Sequence, residues 1–242
     1  MLREVRYKEA DRILTLLSSE GGKLTVKARG ALRKGSRTAA ATQMLTYSEL
    51  SLFGNRGKWT VNEGLVKESF SGLRGNIESF ALGCYFAECL ETLSVEDQPD
   101  PALMQLGLNS LYALSRGLYG EALIKAAFEQ RLMCLAGYEP ELSRCCVCGA
   151  AEPEAPRLSL NNGAVCCRGC GAGMGETAAL DGPSLAALCY ICACQPKQLF
   201  SFTLPDASLR LLSEAAERYF LLHAERRFST LDYWKNIRIK EI

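Results

Sequence analysis

The feature that most constrains this chain is a repeated cysteine couple: Cys145-Cys146-Val147-Cys148-Gly149 and Cys167-Arg168-Gly169-Cys170-Gly171, with 18 residues between Cys148 and Cys167. Two intervening residues let one tight turn aim both thiolates at a single ion at about 2.3 Å, and two such turns complete a closed tetrahedral shell. The spacing is that of zinc ribbons. Cys145, Cys148, Cys167 and Cys170 are therefore expected to hold one structural Zn²⁺, with Cys146 and Cys166 as neighbours that could substitute. The glycine after each couple can take a positive φ and turn backbone N–H groups toward the sulfurs. Residues 139–182 are rich in Gly, Pro and Cys and lack long periodic runs, so they read as a small metal-organised module. A third couple, Cys189 and Cys192, lies in an apolar helical run without a glycine knuckle. It reads as core, together with Cys84, Cys89, Cys134 and Cys194, because free cysteine is commonly buried.

The chain has 242 residues and 12 cysteines. Met1 to Glu9 alternates charge with apolar side chains and has no apolar core of signal-peptide type. No window reaches the roughly 18 apolar residues of a membrane helix. Reduced thiols, metal binding and a cytoplasmic location are the expectation, with no membrane partner.

Upstream of the cysteines the pattern is of strands, then helices. Residues 12–17 (RILTLL) and 23–29 (KLTVKAR) are short, rich in Thr, Val and Leu, and joined by Ser-Ser-Glu-Gly-Gly, a hairpin signal. Residues 45–53 alternate with a slip near Glu49, as a bulged strand would. Gly54 to Gly57 is a turn, and 58–66 is another strand with Gly64 as a bend or bulge. With a stub at 2–6 these make five short strands, the number of an OB-fold. From Ile77 the period changes to about 3.6. Residues 77–93 form a helix whose stripe is Phe80, Cys84, Ala87 and Glu91. Pro101 sits at the start of a helix over 102–114, and Gly137 caps one over 122–136. Beyond the cysteines, one helix begins behind Pro183 and another spans 206–228 with Asp206 as N-cap. The expected architecture is α+β: an N-terminal five-stranded OB-fold β-barrel over 1–70, followed by a helical domain over 71–242 that contains the four-cysteine, zinc-ribbon-like insertion.

Charge divides the chain in a similar place. Residues 1–67 carry 13 Lys/Arg against 6 Asp/Glu, and the remainder carries 15 against 21. Opposite signs suggest different partners, the basic part being the candidate for a polyanion. Lys23, Lys27, Arg29, Arg33, Lys34 and Arg37 occur with no acidic residue among them, and Arg56 and Lys58 come from another turn. Alternation puts Lys23, Thr25, Lys27 and Arg29 on one strand face and leaves Leu24, Val26 and Ala28 for the core. Tyr7, Phe53 and Trp59 are aromatic candidates near these charges, although Phe53 and Trp59 taken singly read as core. Cations that track phosphates beside aromatic faces suit a single nucleic-acid strand.

A catalytic set is not legible. His223 is the one histidine and reads as a packed or surface helix residue. There is no G-x-S-x-G elbow, no H-x-E beside the cysteines and no Walker A motif. A binding protein is expected rather than an enzyme.

Several runs resemble the RecO family of recombination mediators. Residues 7–17 (YKEADRILTLL) are similar to its Y-x-E-x-D-x-I-L-T-L opening, and 22–30 (GKLTVKARG) to its G-K-x-x-x-x-A-R-G strand. Phe128-Glu129-Gln130-Arg131-Leu132 with Gly137-Tyr138-Glu139-Pro140 resembles its F-E-x-R-L-L-x-x-x-G-Y-x-P helix and cap. Cys145 to Gly149 resembles its zinc knuckle, and Phe228 to Tyr233 its closing segment. The resemblance implies an N-terminal OB-fold, a helical domain and a zinc site. It implies binding of single- and double-stranded DNA and annealing of complementary strands. It also implies partnership with RecR and the acidic tail of single-strand binding protein in loading RecA, with association to the nucleoid during repair. The family's T-x-G-I-V-L strand is represented only from Met1, so a first strand cut short, with an exposed edge, is expected. Two other readings stand beside this one: a zinc-stabilised interaction module without DNA contact, and an RNA-binding factor.

Overall fold

A computed structural model describes residues 1–239; positions 240–242 of the helical-domain range given above lie outside the described residues. In chain order the elements are β1 (Arg3–Tyr7), β2 (Asp11–Ser18), β3 (Gly22–Ala28), β4 (Tyr47–Asn55), β5 (Lys58–Glu68), α1 (Ser71–Arg74), α2 (Ile77–Leu93), α3 (Pro101–Arg116) and α4 (Glu121–Leu135). They continue with β6 (Arg157–Ser159), β7 (Ala164–Cys166), β8 (Thr177–Ala179), α5 (Gly182–Ala193), α6 (Asp206–Ala224) and α7 (Ser229–Ile239). The chain is thus α+β, with an N-terminal five-stranded sheet and a helical remainder. Its two compact units are Met1–Gly117 with Phe228 onward, and Leu118–Arg227.

In the first unit the strand order is β1-β2-β3-β5-β4. All neighbours are antiparallel except β3 and β5, which run parallel at Val26↔Trp59 and Lys27↔Thr60. Period-two alternation drives one face inward: Leu14, Leu16, Val26, Ala28, Ala31 and Val61 form the buried cluster, with Leu24, Leu50 and Leu52 against it. The β4–β5 hairpin turns on Arg56 and Gly57, both at positive φ (50° and 74°), as a two-residue primed turn requires. Met1 and Leu2 continue past β1. Met1 exchanges backbone hydrogen bonds with Leu45 and Thr46, both at 3.1 Å, and the Leu2 N–H donates to Thr15 at 2.9 Å.

The slip near Glu49 has a different origin from the one expected. Register jumps from Ser51↔Glu63 to Leu52↔Val61 and from Tyr47↔Glu68 to Ser48↔Val66, so the extra residues are Asn62 and Lys67 of β5. Leu45 breaks the pattern because it precedes β4, buried with a left-handed backbone (φ 58°). Gly64 is not a bulge but a close approach: a Cβ there would lie 2.7 Å from Ala41 Cβ and 2.9 Å from Leu50 Cδ2.

The helices of this unit are capped as their sequences allow. Asn76 accepts from the Ser79 N–H at 3.0 Å, and Asp100, ahead of Pro101, accepts from the Leu103 N–H at 2.9 Å. Of the expected stripe of α2 only Ala87 is buried, and the buried face widens to Leu82, Tyr85, Phe86 and Cys89, because α1, α3, α7 and the edge of the sheet all pack on it. The expected helix over 206–228 stops at Ala224, where Glu225 turns left-handed (φ 51°), and α7 follows. Phe228 meets the Tyr85 ring edge-on at 5.8 Å, and Thr230 Oγ1 donates to the Glu88 carboxylate at 2.5 Å.

In the second unit α4, α5 and α6 pack on one another. The antiparallel sheet β7-β6-β8 adjoins them through β8 and α6. Gly137, at φ 88°, lets the Tyr138 N–H reach back to Met133 O at 2.8 Å and so ends α4 as expected. Asp206 is the first helical residue of α6, and Pro205 occupies the cap. Lys125 of α4 is buried between Glu129 (2.7 Å) and Glu217 of α6 (2.8 Å). Burial opposes its charge, but the two carboxylates outweigh that and hold its pKa above the ordinary value. No described helix is long and apolar enough to cross a membrane.

Candidate metal centre and basic face

The two cysteine couples converge. The Sγ atoms of Cys145, Cys148, Cys167 and Cys170 all lie within 4.8 Å of one another. The first couple sits in a tight turn: the Gly149 N–H donates to Cys145 O at 2.9 Å, and the Cys145 N–H to Ala150 O at 2.8 Å. Gly149 has φ 76°, the conformation expected of it. Cys146 N donates to Val165 O at 2.9 Å, which ties this turn to β7. The second couple follows β7 directly, and Gly171 N closes its turn on Cys167 O at 2.9 Å. Gly171 does not use a positive φ. It is buried, and a Cβ there would stand 3.3 Å from Cys166 Sγ.

The electrostatics favour a cation among these sulfurs. Backbone N–H groups of Cys148, Cys167 and Val147 point at Cys145 Sγ and pull its pKa down to about 6. The neighbouring Cys148 thiol, and then burial, push Cys170 up to about 12. Cys145 thus ionises readily while Cys170 resists, and burial first of all raises Cys167 as well. A metal ion removes that opposition. Cys146 is exposed and Cys166 is buried with its Sγ 3.6 Å from Arg157 O, so neither neighbour joins the cluster.

The basic residues divide into two classes. Lys23 Nζ donates to Glu91 O at 3.2 Å, and Lys27 pairs with Asp11 at 2.9 Å while lying 4.8 Å from the Tyr7 ring centre. Arg29, Arg33, Lys34, Arg37, Arg56 and Lys58 are exposed and have no ion pair among the described residues. Their placement follows from β3. Arg29 to Arg37 leave its last residue, whereas the parallel register with β5, Val26↔Trp59, sets Lys58 about level with Thr25 and the Arg56–Gly57 tip just before it. Four residues of strand, roughly 13 Å, separate the level of Lys58 from Arg29. Phe53 and Trp59 are not core residues: they are 64% and 41% exposed. Trp59 lies across its cross-strand partner Gly54, where a Cβ would come within 2.7 Å of the indole. Tyr7 is exposed as well.

Asp11 was not among the expected site residues. It accepts from the Gly30 N–H at 2.8 Å, and the Leu32 N–H donates to Ala10 O at 3.0 Å, so it anchors the start of the cationic loop. The signal was present: Arg12 stands opposite Ala28 in the hairpin, which brings residues 10–11 to 29–30. The groove of about 680 Å³ between the end of β2 and β4 is a poor seat for a polyanion. Its charged lining is Glu20, Glu49, Asp97 and Lys67, and Lys67 already pairs with Glu49.

Comparison with known proteins gives a consistent result. A family model described as "Recombination protein O N terminal" matches residues 1–70, and one described as "Recombination protein O C terminal" matches 74–232. A protein of Acetivibrio thermocellus named DNA repair protein RecO is 34% identical over 241 residues, 99% of this chain and 96% of its own length. Proteins of the same name in Alkaliphilus metalliredigens and Listeria monocytogenes serotype 4b are similar. The first is 26% identical over 98% of this chain and 97% of its own, and the second 32% over 69% and 66%.

Proposed function

The chain belongs to the recombination protein O (RecO) family of DNA repair proteins, and from that membership we propose that it is a non-enzymatic recombination mediator. It binds single- and double-stranded DNA on its sheet, anneals complementary strands, and helps RecR load RecA onto DNA coated by single-strand binding protein. The sheet acts as an OB-fold; its meander β1-β2-β3, the parallel β3–β5 pair and the order ending in β4 support that reading. The metal is zinc, because four thiolates suit a tetrahedral ion without redox chemistry, and it stabilises the fold rather than reacting. The lone histidine supports a binding role: its ring lies tilted to Tyr138 at 4.6 Å and edge-on to Tyr219 at 4.4 Å, with Nε2 at 3.0 Å from Leu160 O.

The observation that carries the proposal is the set of six exposed, unpaired cations flanking β3, beside the exposed rings of Tyr7, Phe53 and Trp59. Neutralising phosphates releases counterions and lowers repulsion between strands, which is what annealing needs. Fluorescence anisotropy with labelled single-stranded DNA across a salt series tests it. Binding should weaken steeply with salt. Changing Arg33, Lys34 and Arg37 together to Ala should reduce the slope of log K against log salt by about 2, at roughly 0.7 per phosphate contact. No binding at low salt by folded, metal-loaded protein would refute the DNA reading in favour of an interaction module. Preferential competition by a matched RNA would move the assignment to RNA.

A further inference from the structure

Outside the metal cluster, a second meeting of thiols lies in the helical part of the second unit. Cys134, near the end of α4, and Cys192, near the end of α5, have their sulfurs 3.6 Å apart. Both are half-buried rather than sealed in the core. Gln130 Nε2 lies 3.9 and 3.8 Å from the two sulfurs, and Arg131 Nη2 donates to Cys194 O at 2.6 Å and reaches its sulfur at 3.1 Å. A disulfide needs the sulfurs at about 2.05 Å, so they have roughly 1.5 Å further to approach from 3.6 Å. Cys189, the other member of the C-x-x-C run, is exposed and not in this contact.

We propose that Cys134 and Cys192 are a peroxide-oxidised dithiol, closing a reversible disulfide between α4 and α5. The Cys134 thiolate attacks one peroxide oxygen. An S–O bond forms, the O–O bond breaks, and the departing hydroxide takes up a proton as water. The Cys192 sulfur then attacks the sulfenic acid. An S–S bond forms, and the hydroxyl leaves with the Cys192 proton as a second water. Two thiols and one peroxide thus give one disulfide and two waters, with two electrons passing from sulfur to oxygen. The roles follow from the surroundings. The Cys192 thiol, facing Cys134, holds Cys134 below its ordinary pKa, with Gln130 and Arg131 acting in the same direction against burial and Glu139. Cys192 is raised by the same contact and by burial, and so stays protonated.

The two cysteines stand 58 positions apart, and all four cysteines of the metal cluster lie between them. Oxidation therefore ties the two ends of the metal-organised segment together by a bond that does not involve the metal.

The test uses the full, metal-loaded chain treated with hydrogen peroxide, followed by alkylation of remaining thiols and peptide mapping. The expected result is a Cys134–Cys192 linked peptide that dithiothreitol reverses. It should form at a peroxide excess that leaves Cys145, Cys148, Cys167 and Cys170 intact and the metal bound. Cys134→Ser should abolish the linked peptide and leave Cys192 fully alkylated. Recovery of both Cys134 and Cys192 as free thiols while the metal ligands oxidise, or linkage of Cys134 to Cys194 instead, would overturn the proposal. Both of those outcomes are read on the unsubstituted chain, so they do not depend on how a variant folds.

Discussion

Asp11 ties the start of β2 to the end of β3 through one carboxylate. It accepts the Gly30 N–H at 2.8 Å and pairs with Lys27 at 2.9 Å. The backbone N–H, then Lys27, hold its pKa below the ordinary aspartate value. A carboxyl depressed in the folded state contributes stability that is complete above its unfolded value, about 3.9, and is lost as pH falls through the folded one. Carboxyl-carbon NMR titration should place Asp11 low, and Lys27→Met should return it only part of the way, since the Gly30 N–H remains. An unshifted Asp11 would show that the anchor does not form. Lys27 thus differs from Arg33 and its neighbours: removing it should disturb the anchor of the 29–37 loop more than the count of free cations. Its alternation on β3 is the same as that of Arg29, so this difference could not be read from the strand pattern.

At the scale of elements, the second unit rests on two unlike supports. The first is the ion cluster joining α4 and α6. Lys125→Met would leave Glu129 buried without its cation, and breaking a buried pair on one side costs about 3–5 kcal/mol, measurable by urea unfolding. Replacing Lys125 and Glu129 together by apolar residues should recover part of that loss. The second support is the metal cluster. Strands β6, β7 and β8 have three residues each, too few to stabilise an isolated sheet in water. Chelation at neutral pH should therefore remove hydrogen-exchange protection from residues 157–179, and Cys167→Ala should do the same. Protection that survives chelation would show that the sheet holds without metal. The Cys134–Cys192 bond, once formed, constrains the unfolded chain over a long loop. Chain-entropy arguments put its upper value near 4 kcal/mol, so oxidation should partly offset the cost of metal loss in heat denaturation.

For the whole molecule, the two compact units should differ in their response to metal. The cluster lies entirely within Leu118–Arg227. Scanning calorimetry with and without chelator is expected to lower the transition of that unit and leave the other, formed by Met1–Gly117 with Phe228 onward, near its original temperature. A single transition that shifts as one would mean that the units unfold together.

The sequence alone determined the features whose cause is local. Period-two alternation placed all five strands to within two residues, the change of period at Ile77 placed the start of α2, and Pro101 placed that of α3. Spacing alone chose the four cysteines that converge, since two residues between thiols leave the backbone few ways to turn. What needed the tertiary structure was whatever depends on residues far apart in the chain. The parallel β3–β5 register brings Lys58 and the turn before it alongside β3, whose last residue leads into the other cationic group. Lys23 and Lys27 have partners that no charge count reveals. Phe53 and Trp59 are exposed because the hairpin that carries them extends to a sheet margin, whereas hydrophobicity by itself assigns them to a core. Residues 228–239 return to pack on α2, although more than a hundred residues intervene. Cys134 and Cys192 meet only because α4 and α5 pack side by side. Periodicity fixes which face of an element is buried, but the partner across that face is chosen by the packing of the whole chain.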